Sequence, residues 1–323
     1  MVNWFEKAKE ILGKKDSECN EAFTTIFEDF FDVLMIVHDT SSEGKIQTLE
    51  NFILRICALV ADNRISIYIQ QEAVRKLNSM LTAMPRDIRK KTISTKEMLQ
   101  VMNDMGKRIL DAGDYDLQVA ITEALCRMTS EKQRRELANQ WFPMDFVSSA
   151  FKQIKDSEFE TDCRKFLNQV NGMLGDKRRV FTYPCLSAAI GKHELQMPAD
   201  ENLDECWIDF NVGSKSISFY VAADDEGQQW ETVCIPEEDV RTYIIEEKEK
   251  EKLLMVHLNN PISVGVQEGE TIILHFDSAL EITDAVRKVY AATKCQGFTR
   301  KNTVSVAKTM VHVVFDESGS QDD

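Results

Sequence analysis

The sequence lacks a long apolar run. No stretch approaches the ~18 apolar residues of a membrane-spanning helix. The first residues, MVNWFEKAKEIL, are amphipathic and do not match the charged segment and apolar core of a signal peptide. We therefore expect neither membrane insertion nor export. The chain does have 323 residues, of which 43% are hydrophobic, and this is enough for a sizeable core and two domains.

The sequence also lacks paired cysteines. Its eight cysteines stand one by one in apolar stretches, so neither a zinc motif nor a small disulfide scaffold is indicated. We expect reduced core residues of a cytosolic or nuclear protein. They are Cys19, Cys57, Cys126, Cys163, Cys185, Cys206, Cys234 and Cys295.

Positive charge is scarce as well. The formal net charge is −15, and residues 199–251, with sixteen acidic and four basic side chains, carry −12 of it. A protein that binds nucleic acid generally needs a basic surface to neutralise phosphates, so this function is disfavoured. The acidic charge belongs to one half of the chain.

Up to about residue 191 the apolar residues recur at helical spacing. Met35, Met80, Met128 and Met173 follow similar apolar patterns at intervals of 45, 48 and 45 residues. A repeat of this length is typical of HEAT or armadillo solenoids, and an irregular helical bundle is the alternative. Two capping boxes, at residues 94–97 and 157–160, predict helix starts.

The stretch NGMLGDKRRVFTYP, residues 171–184, raises the question of a phosphate-binding loop. Such a loop follows a strand, precedes a helix and has Ser or Thr after its lysine, whereas Lys177 here precedes Arg178. We interpret Gly175 as the glycine that ends a helix, with the cations near the negative end of the dipole. A short helix at residues 183–190 is predicted to complete the helical domain, residues 1–196.

From about residue 205 the apolar period becomes two, and we assign residues 197–323 to a second domain. Seven strands are predicted, at residues 206–212, 216–221, 230–235, 240–245, 253–258, 262–266 and 271–276. Gly213 and Ser214 suit a hairpin turn. A helix from about Ser278 should bury Ile282, Ala285, Val286, Val289 and Thr293. This order favours a pleckstrin-homology-like barrel over a β-sandwich, and residues 304–315 are a candidate edge strand.

The chain also resembles a known family. The stretches ILDAGDYDLQVAITEALCRMTSEKQRRELANQWFPMDF, IKDSEFETDCRKFLNQVNGMLGDKRRVFTYPCLSA and WIDFNVGSKSISFYVA are similar to the N-terminal region of the synaptonemal complex protein 2 family, and more so to its "like" paralogue. The resemblance covers almost the whole chain. It implies an armadillo-repeat-like domain followed by a pleckstrin-homology-like domain similar to the middle domain of the large subunit of the histone chaperone FACT.

Members of that family are structural components of meiotic chromosome axes, and the resemblance links this region with centromeres. They carry further helices before the segment matching WFEKAKEIL and continue to a C-terminal coiled coil that assembles filaments. We therefore expect self-association only through regions outside this chain, and an adaptor role for the chain itself.

The residues do not favour an enzyme. His257, His275 and His312 lie in strand-like segments, but without a local ligand spacing a zinc site is less favoured than three surface imidazoles. No nucleophile elbow or zincin motif is present. No cofactor is expected. Lys215 stands alone in acidic surroundings, so phosphoinositide membranes are disfavoured as partners.

Charged clusters are the candidate partner-binding residues. The acidic ones suit basic partners such as histone tails, although a solvated face is the common explanation for such runs. The basic ones suit an acidic partner or the second domain, and are too short to indicate sequence-specific nucleic-acid binding. The candidates are Arg86, Arg89, Lys90, Lys91, Arg134, Arg135, Asp224, Asp225, Glu226, Glu237, Glu238 and Asp239.

The sequence thus predicts a non-enzymatic interaction scaffold of α+β class, with an armadillo/HEAT-like α-solenoid followed by a pleckstrin-homology-like β-barrel. We expect it in the nucleus on meiotic chromosomes, where it docks chromosome-axis or centromere proteins. The alternative hypothesis is a chaperone-like module that binds histones through the acidic second domain.

Overall fold

The computed structural model describes residues 1–13, 20–82, 84–198, 205–222 and 230–300. Helices come first along the chain, and strands with one further helix follow. The helices of the first part are α1 Val2–Leu12, α2 Asn20–Thr40, α3 Ser42–Val60, α4 Ile67–Thr82, α5 Arg86–Ile93, α6 Lys96–Asp111, α7 Tyr115–Met128, α8 Glu131–Trp141, α9 Asp145–Phe151 and α10 Phe159–Met173.

The strands and the last helix form the second part. They are β1 Val180–Cys185, β2 Ser187–Ile190, β3 His193–Leu195, β4 Cys206–Asn211, β5 Ser216–Ala222, β6 Trp230–Pro236, β7 Val240–Glu247, β8 Glu251–Val264, β9 Gln267–Asp277, α11 Ile282–Val289 and β10 Cys295–Arg300.

The methionine repeat identifies the inner stack of helices, α2, α4, α7 and α10, in which each helix packs on the next. The apolar residues that precede the methionines in the repeat are all buried: Phe27, Phe31, Ala73, Leu77, Ile121, Leu125, Phe166 and Val170. Met80 and Met128 join this core, whereas Met173 is 48% exposed at the end of α10. Each layer buries its apolar face against its neighbour, as predicted for a solenoid.

Buried amides join neighbouring layers of the stack. Gln118 on α7 and Asn171 on α10 exchange two hydrogen bonds, each 2.8 Å from amide nitrogen to amide oxygen. Asn78 on α4 donates to the carbonyl of Ala120 on α7 at 3.0 Å. Because a buried amide without a partner is costly, these bonds specify which faces of the helices meet.

The helix boundaries correct the predicted caps. Thr95, one residue after the predicted Ser94, caps α6. The second predicted box is wrong, since α10 follows Glu158, whose side chain makes no capping hydrogen bond. A complete capping box occurs instead at Ser130 and Gln133, before α8. The predicted stop after α10 is confirmed, because Gly175 adopts a φ of +55°.

The helix predicted at residues 183–190 is wrong, because these residues form β1 and β2. Phe181, Tyr183 and Cys185 alternate inward along β1, so the true period is two. Pro184 is tolerated because β1 is the edge strand of its sheet. Since β1 to β3 pair with strands of the second part, we place the domain boundary before Val180 and not after residue 196.

Two sheets surround the core of the second domain. One has the strand order β1-β4-β5-β6, and the other has the order β10-β7-β8-β9-β2-β3. The pairs are antiparallel except that β10 runs parallel to β7. The predicted strands at 253–258 and 262–266 form one long strand, β8, whose pairing with β9 shifts register between His257 and Ile262.

The last helix, α11, is confirmed. It packs on β4 and buries Ile282, Ala285, Val286 and Val289, as the apolar pattern predicted. Thr293 lies beyond the helix, in a 3-10 turn. The predicted edge strand at residues 304–315 lies outside the described residues.

The cysteines are free thiols, and most of those described are in the core. Burial raises the pKa of Cys57 to about 12, and Cys126, Cys163 and Cys185 are buried as well. Cys234 differs from the expectation, because it is exposed on β6. Cys19 lies outside the described residues. Within the described ranges, no helix is both long and apolar enough to cross a membrane.

Candidate interaction surfaces and the interdomain interface

The loop before α7 joins the helical domain to the β4–β5 hairpin. The amide of Gly213 donates to the carbonyl of Gly113 at 2.7 Å, and the amide of Tyr115 donates to Asn211 Oδ1 at 2.9 Å. Ser214 Oγ donates to Asp114 Oδ2 at 2.7 Å. The predicted hairpin turn is confirmed, and it contacts the solenoid directly.

Two glycines permit this close approach. Gly113 has a φ of +72°, which L side chains rarely adopt. A Cβ atom on Gly213 would lie 2.7 Å from Ile67 Cδ1 and 2.8 Å from the Gly113 carbonyl oxygen. The backbones of the two domains therefore meet where no side chain fits between them.

A buried ion pair lies beside the glycine contact. Arg164 Nη1, on α10, is 3.0 Å from both carboxylate oxygens of Asp209 on β4. Thr182 Oγ1 also donates to Asp209, at 2.7 Å, and the Arg164 guanidinium lies 3.7 Å from the centre of the Tyr115 ring. Cation–π contact and hydrogen bonds together compensate for removing both charges from water.

A second carboxyl group at the interface, that of Asp116, is only partly compensated for its loss of contact with water. Tyr220 on β5 donates its hydroxyl to Asp116 Oδ1 at 2.8 Å. Burial and the neighbouring Asp114 carboxylate raise the pKa of Asp116 from 3.8 to about 6. Gly213 and Ser214 were predicted only as a hairpin turn, and no residue was predicted to lie at this interface, because only the packing of the domains brings these residues together.

One cation of the basic cluster on α5 already forms an ion pair within the protein. Lys91 Nζ pairs with Glu50 on α3 at 2.9 Å. Arg86 and Lys90 are exposed. Arg89 is half-buried, and its Nε atom has no hydrogen-bond partner among the described residues. Of the four predicted cations on this helix, three remain available to a partner.

The cluster on α8 contains one misassigned residue. Arg134, a predicted partner-binding residue, is only 1% exposed, and its Nη2 atom pairs with Asp156 Oδ1 at 2.5 Å. It therefore fixes α8 to the segment before α10 and cannot present its guanidinium to a partner. Arg135 and its neighbour Lys132 are exposed.

One groove connects the two basic helices. Its volume is about 550 Å³, and it lies between the end of α4, α5, the end of α7 and the start of α10. Arg89 lines it from α5, and Ser130, the N-cap of α8, lines it from the other cluster. The groove is thus lined by one cation of the α5 cluster and by the residue that caps the helix carrying the other cluster.

The acidic patch of the second domain is only partly described. Asp224, Asp225 and Glu226 lie outside the described residues. Glu238 and Asp239 are exposed in a 3-10 turn between β6 and β7.

Glu237 in the same turn has a structural role. Its carboxylate accepts a hydrogen bond from the amide of Ala291 at 2.6 Å and lies 3.2 Å from Lys215 Nζ. The exposed carboxylates of Glu238 and Asp239 in this turn therefore remain accessible to a basic partner.

The histidines do not converge in the part of the chain that the structure describes. His257 Nδ1 is 3.1 Å from Thr271 Oγ1, and His275 Nδ1 is 3.2 Å from Glu251 Oε2. His312 lies outside the described residues. No group of three or more potential metal ligands occurs among the described side chains.

Comparisons with known proteins match both domains. Residues 1–88 match the family described as synaptonemal complex 2 armadillo-repeat-like domain, and residues 180–292 match the synaptonemal complex 2 Spt16M-like domain. A solved structure titled synaptonemal complex protein superposes with a TM-score of 0.82 at 51% identity. The match covers 92% of this chain and 73% of that one.

Curated relatives match along almost the whole chain. Synaptonemal complex protein 2 of Homo sapiens is 57% identical over 99% of this chain, and synaptonemal complex protein 2-like of Mus musculus is 42% identical over 88%. The expected preference for the "like" paralogue is therefore wrong. The chain spans 21% of the length of the human relative and 34% of the mouse one. With both domains matched, this chain belongs to the synaptonemal complex protein 2 family.

Proposed function

We propose that this chain is a non-enzymatic scaffold module that docks chromosome-axis or centromere proteins in meiosis. Family membership supports a role in the synaptonemal complex and a location on meiotic chromosomes in the nucleus. Docking at the centromere or at the lateral element is the finer part of the proposal.

The observation that carries the proposal is the buried interface between the two domains. Arg164 and Asp209 are 6% and 1% exposed, and backbone hydrogen bonds join the same faces. A fixed relation between two domains gives a partner one preorganised surface, which lowers the entropy lost on binding. A scaffold benefits from this property, and the nearby groove offers the concave surface for docking.

The test uses the whole chain, because a cut at the predicted boundary would remove β1 to β3 from their sheets. A fluorescent fusion of residues 1–323 is expressed in mouse spermatocytes that are stained for axis and centromere markers. We expect enrichment on the axes or at the centromeres. Diffuse nuclear fluorescence with a correctly folded fusion would contradict the proposal.

A second candidate function is histone binding by the Spt16M-like domain. The exposed carboxylates of Glu238 and Asp239 favour it, since basic histone segments are attracted to such a surface. The variant that tests this second function reverses the charge of both residues, as Glu238→Lys with Asp239→Lys. Glu237 is left unchanged because its carboxylate binds Ala291 and Lys215.

Binding of the wild-type chain and of this variant to purified H3–H4 is measured at low and high salt. We expect salt-sensitive binding that the double reversal weakens at least tenfold if this second function is correct. As a matched control, Glu268→Lys with Glu270→Lys changes the same charge on β9. Equal binding by all three proteins would rule out the Glu238–Asp239 patch as the histone site.

A further inference from the structure

The groove between α5 and the N-cap of α8 presents one cation of the α5 cluster. Arg89 lines it directly, and Arg86 and Lys90 are exposed on the same helix. Ser130, the N-cap of α8, also lines the groove, and the exposed Lys132 and Arg135 follow it on the first turns of α8 without lining the groove themselves. Arg89 is therefore the cation of the lining that no ion pair neutralises within the described ranges.

Most of the carboxylates in the groove are already neutralised. Glu123 Oε1 lies 2.6 Å from Arg127 Nη2, and the same glutamate accepts a hydrogen bond from Asn78. Asp156 pairs with Arg134. These pairs leave Glu160 as the carboxylate of the groove lining that no ion pair neutralises within the described ranges.

Five cations of α5 and α8 are not neutralised in this way. No ion pair joins Arg86, Arg89, Lys90, Lys132 or Arg135 to a carboxylate within the described ranges. Arg89 is the most constrained of them, since its Nε atom is shielded from solvent and has no acceptor there. A half-buried guanidinium without an acceptor is a favourable site for a carboxylate, because a charge-assisted hydrogen bond would replace lost hydration.

We propose that this groove binds an acidic peptide segment of a partner protein, with a carboxylate of that segment on Arg89. The inference rests on the proposed docking function and names the chemistry of the docked partner. A nucleic acid fits less well, since its evenly spaced phosphates would meet the exposed carboxylate of Glu160. A peptide can place its carboxylates next to the cations and uncharged residues next to Glu160.

The test measures fluorescence anisotropy with a labelled peptide of alternating glutamate and serine. We expect the wild-type chain to bind it in a salt-sensitive manner and Arg89→Gln to weaken binding about tenfold. Arg135→Gln, at an exposed position, should weaken it about twofold. The matched control is Arg75→Gln, which removes an exposed arginine of α4 that pairs with Glu72, outside this groove. This control should bind like the wild type.

Two results would overturn the inference. One is equal peptide binding by Arg89→Gln, Arg135→Gln and the wild type. The other is displacement of the peptide by random-sequence duplex DNA, with tighter binding of the DNA. If Arg89→Gln loses the peptide but the spermatocyte fusion is diffuse, the groove chemistry stands and the meiotic docking function fails. If Arg89→Gln binds normally and the fusion marks axes, the docking function stands without this groove.

Discussion

Arg164 on α10 and Asp209 on β4 form an ion pair in which both side chains are almost fully buried. The pair lies between two domains that fold from different parts of the chain. Because an unpaired charge in this position would be very costly, the domains satisfy both groups only in one relative arrangement. The ion pair therefore acts as a specificity contact for domain docking.

Asp209→Ala is expected to destabilise the protein by about 3–5 kcal/mol, because it leaves the Arg164 guanidinium buried and unpaired. Urea unfolding measures the change. In the control, Glu158→Ala breaks an exposed pair with Lys155 and should cost less than about 1 kcal/mol. The double variant Arg164→Met with Asp209→Leu should recover part of the loss. A cost for Asp209→Ala no larger than that of the control would contradict this account.

Gly213→Ala should destabilise the protein by about 1–3 kcal/mol, because the added Cβ meets the Gly113 carbonyl and Ile67. The control is Gly172→Ala on α10, where an added Cβ has no atom within 4 Å. Alanine is the better helix former, so the control should gain about 0.5 kcal/mol. Thermal unfolding compares the two variants. Shifts of the melting temperature with the same sign for both would argue against the close contact at Gly213.

Stability should depend on pH through Asp116. Below about pH 4 the carboxyl group is protonated in both states, and between 3.8 and about 6 only the folded state keeps the proton. The contribution of Asp116 to the free energy of unfolding therefore falls as the pH rises through this window, by at most about 3 kcal/mol. Asp116→Asn removes this dependence. The stability of Asp116→Asn relative to the wild type should rise from pH 4 to 6 and then level off, whereas a constant difference would refute the shift.

The buried thiols should resist alkylation. Burial raises the pKa of Cys57 to about 12 and that of Cys126 to about 11, so neither forms much thiolate at pH 8. Cys234 serves as the internal control, because it is exposed on β6 although its pKa is also raised to about 11, so the contrast rests on access of the reagent. Peptide mapping after treatment with iodoacetamide should find Cys234 modified before Cys57 and Cys126. Rapid modification of Cys57 in the folded protein would indicate that the α3 layer opens.

Several features of the fold could be predicted because they depend on neighbours in sequence. The buried faces of α4, α7 and α10 follow the helical period, and α11 follows the same rule. The strands from Cys206 onward show a period of two. Strands β2 and β3 escaped prediction because they have only four and three residues, and β1 escaped it because the apolar residues around Pro184 also suit a helix.

The candidate site could be predicted only in part. The sequence identified both basic clusters, yet it could not distinguish the buried Arg134 from the exposed Arg135 beside it. Adjacent residues on a helix point about 100° apart, so one faces the core and the other the solvent. Which of them faces the core depends on how α8 packs near Asp156.

The sequence by itself determined two parts of different periodicity, the buried faces of α4, α7, α10 and α11, and the acidic character of the second domain. These properties follow from local spacing and composition. Only the tertiary structure decided that Arg164 meets Asp209, that Gly113 meets Gly213 and that α5 and the N-cap of α8 line one groove. The reason is that these contacts join residues far apart in the chain, and their positions are set by packing over the whole molecule.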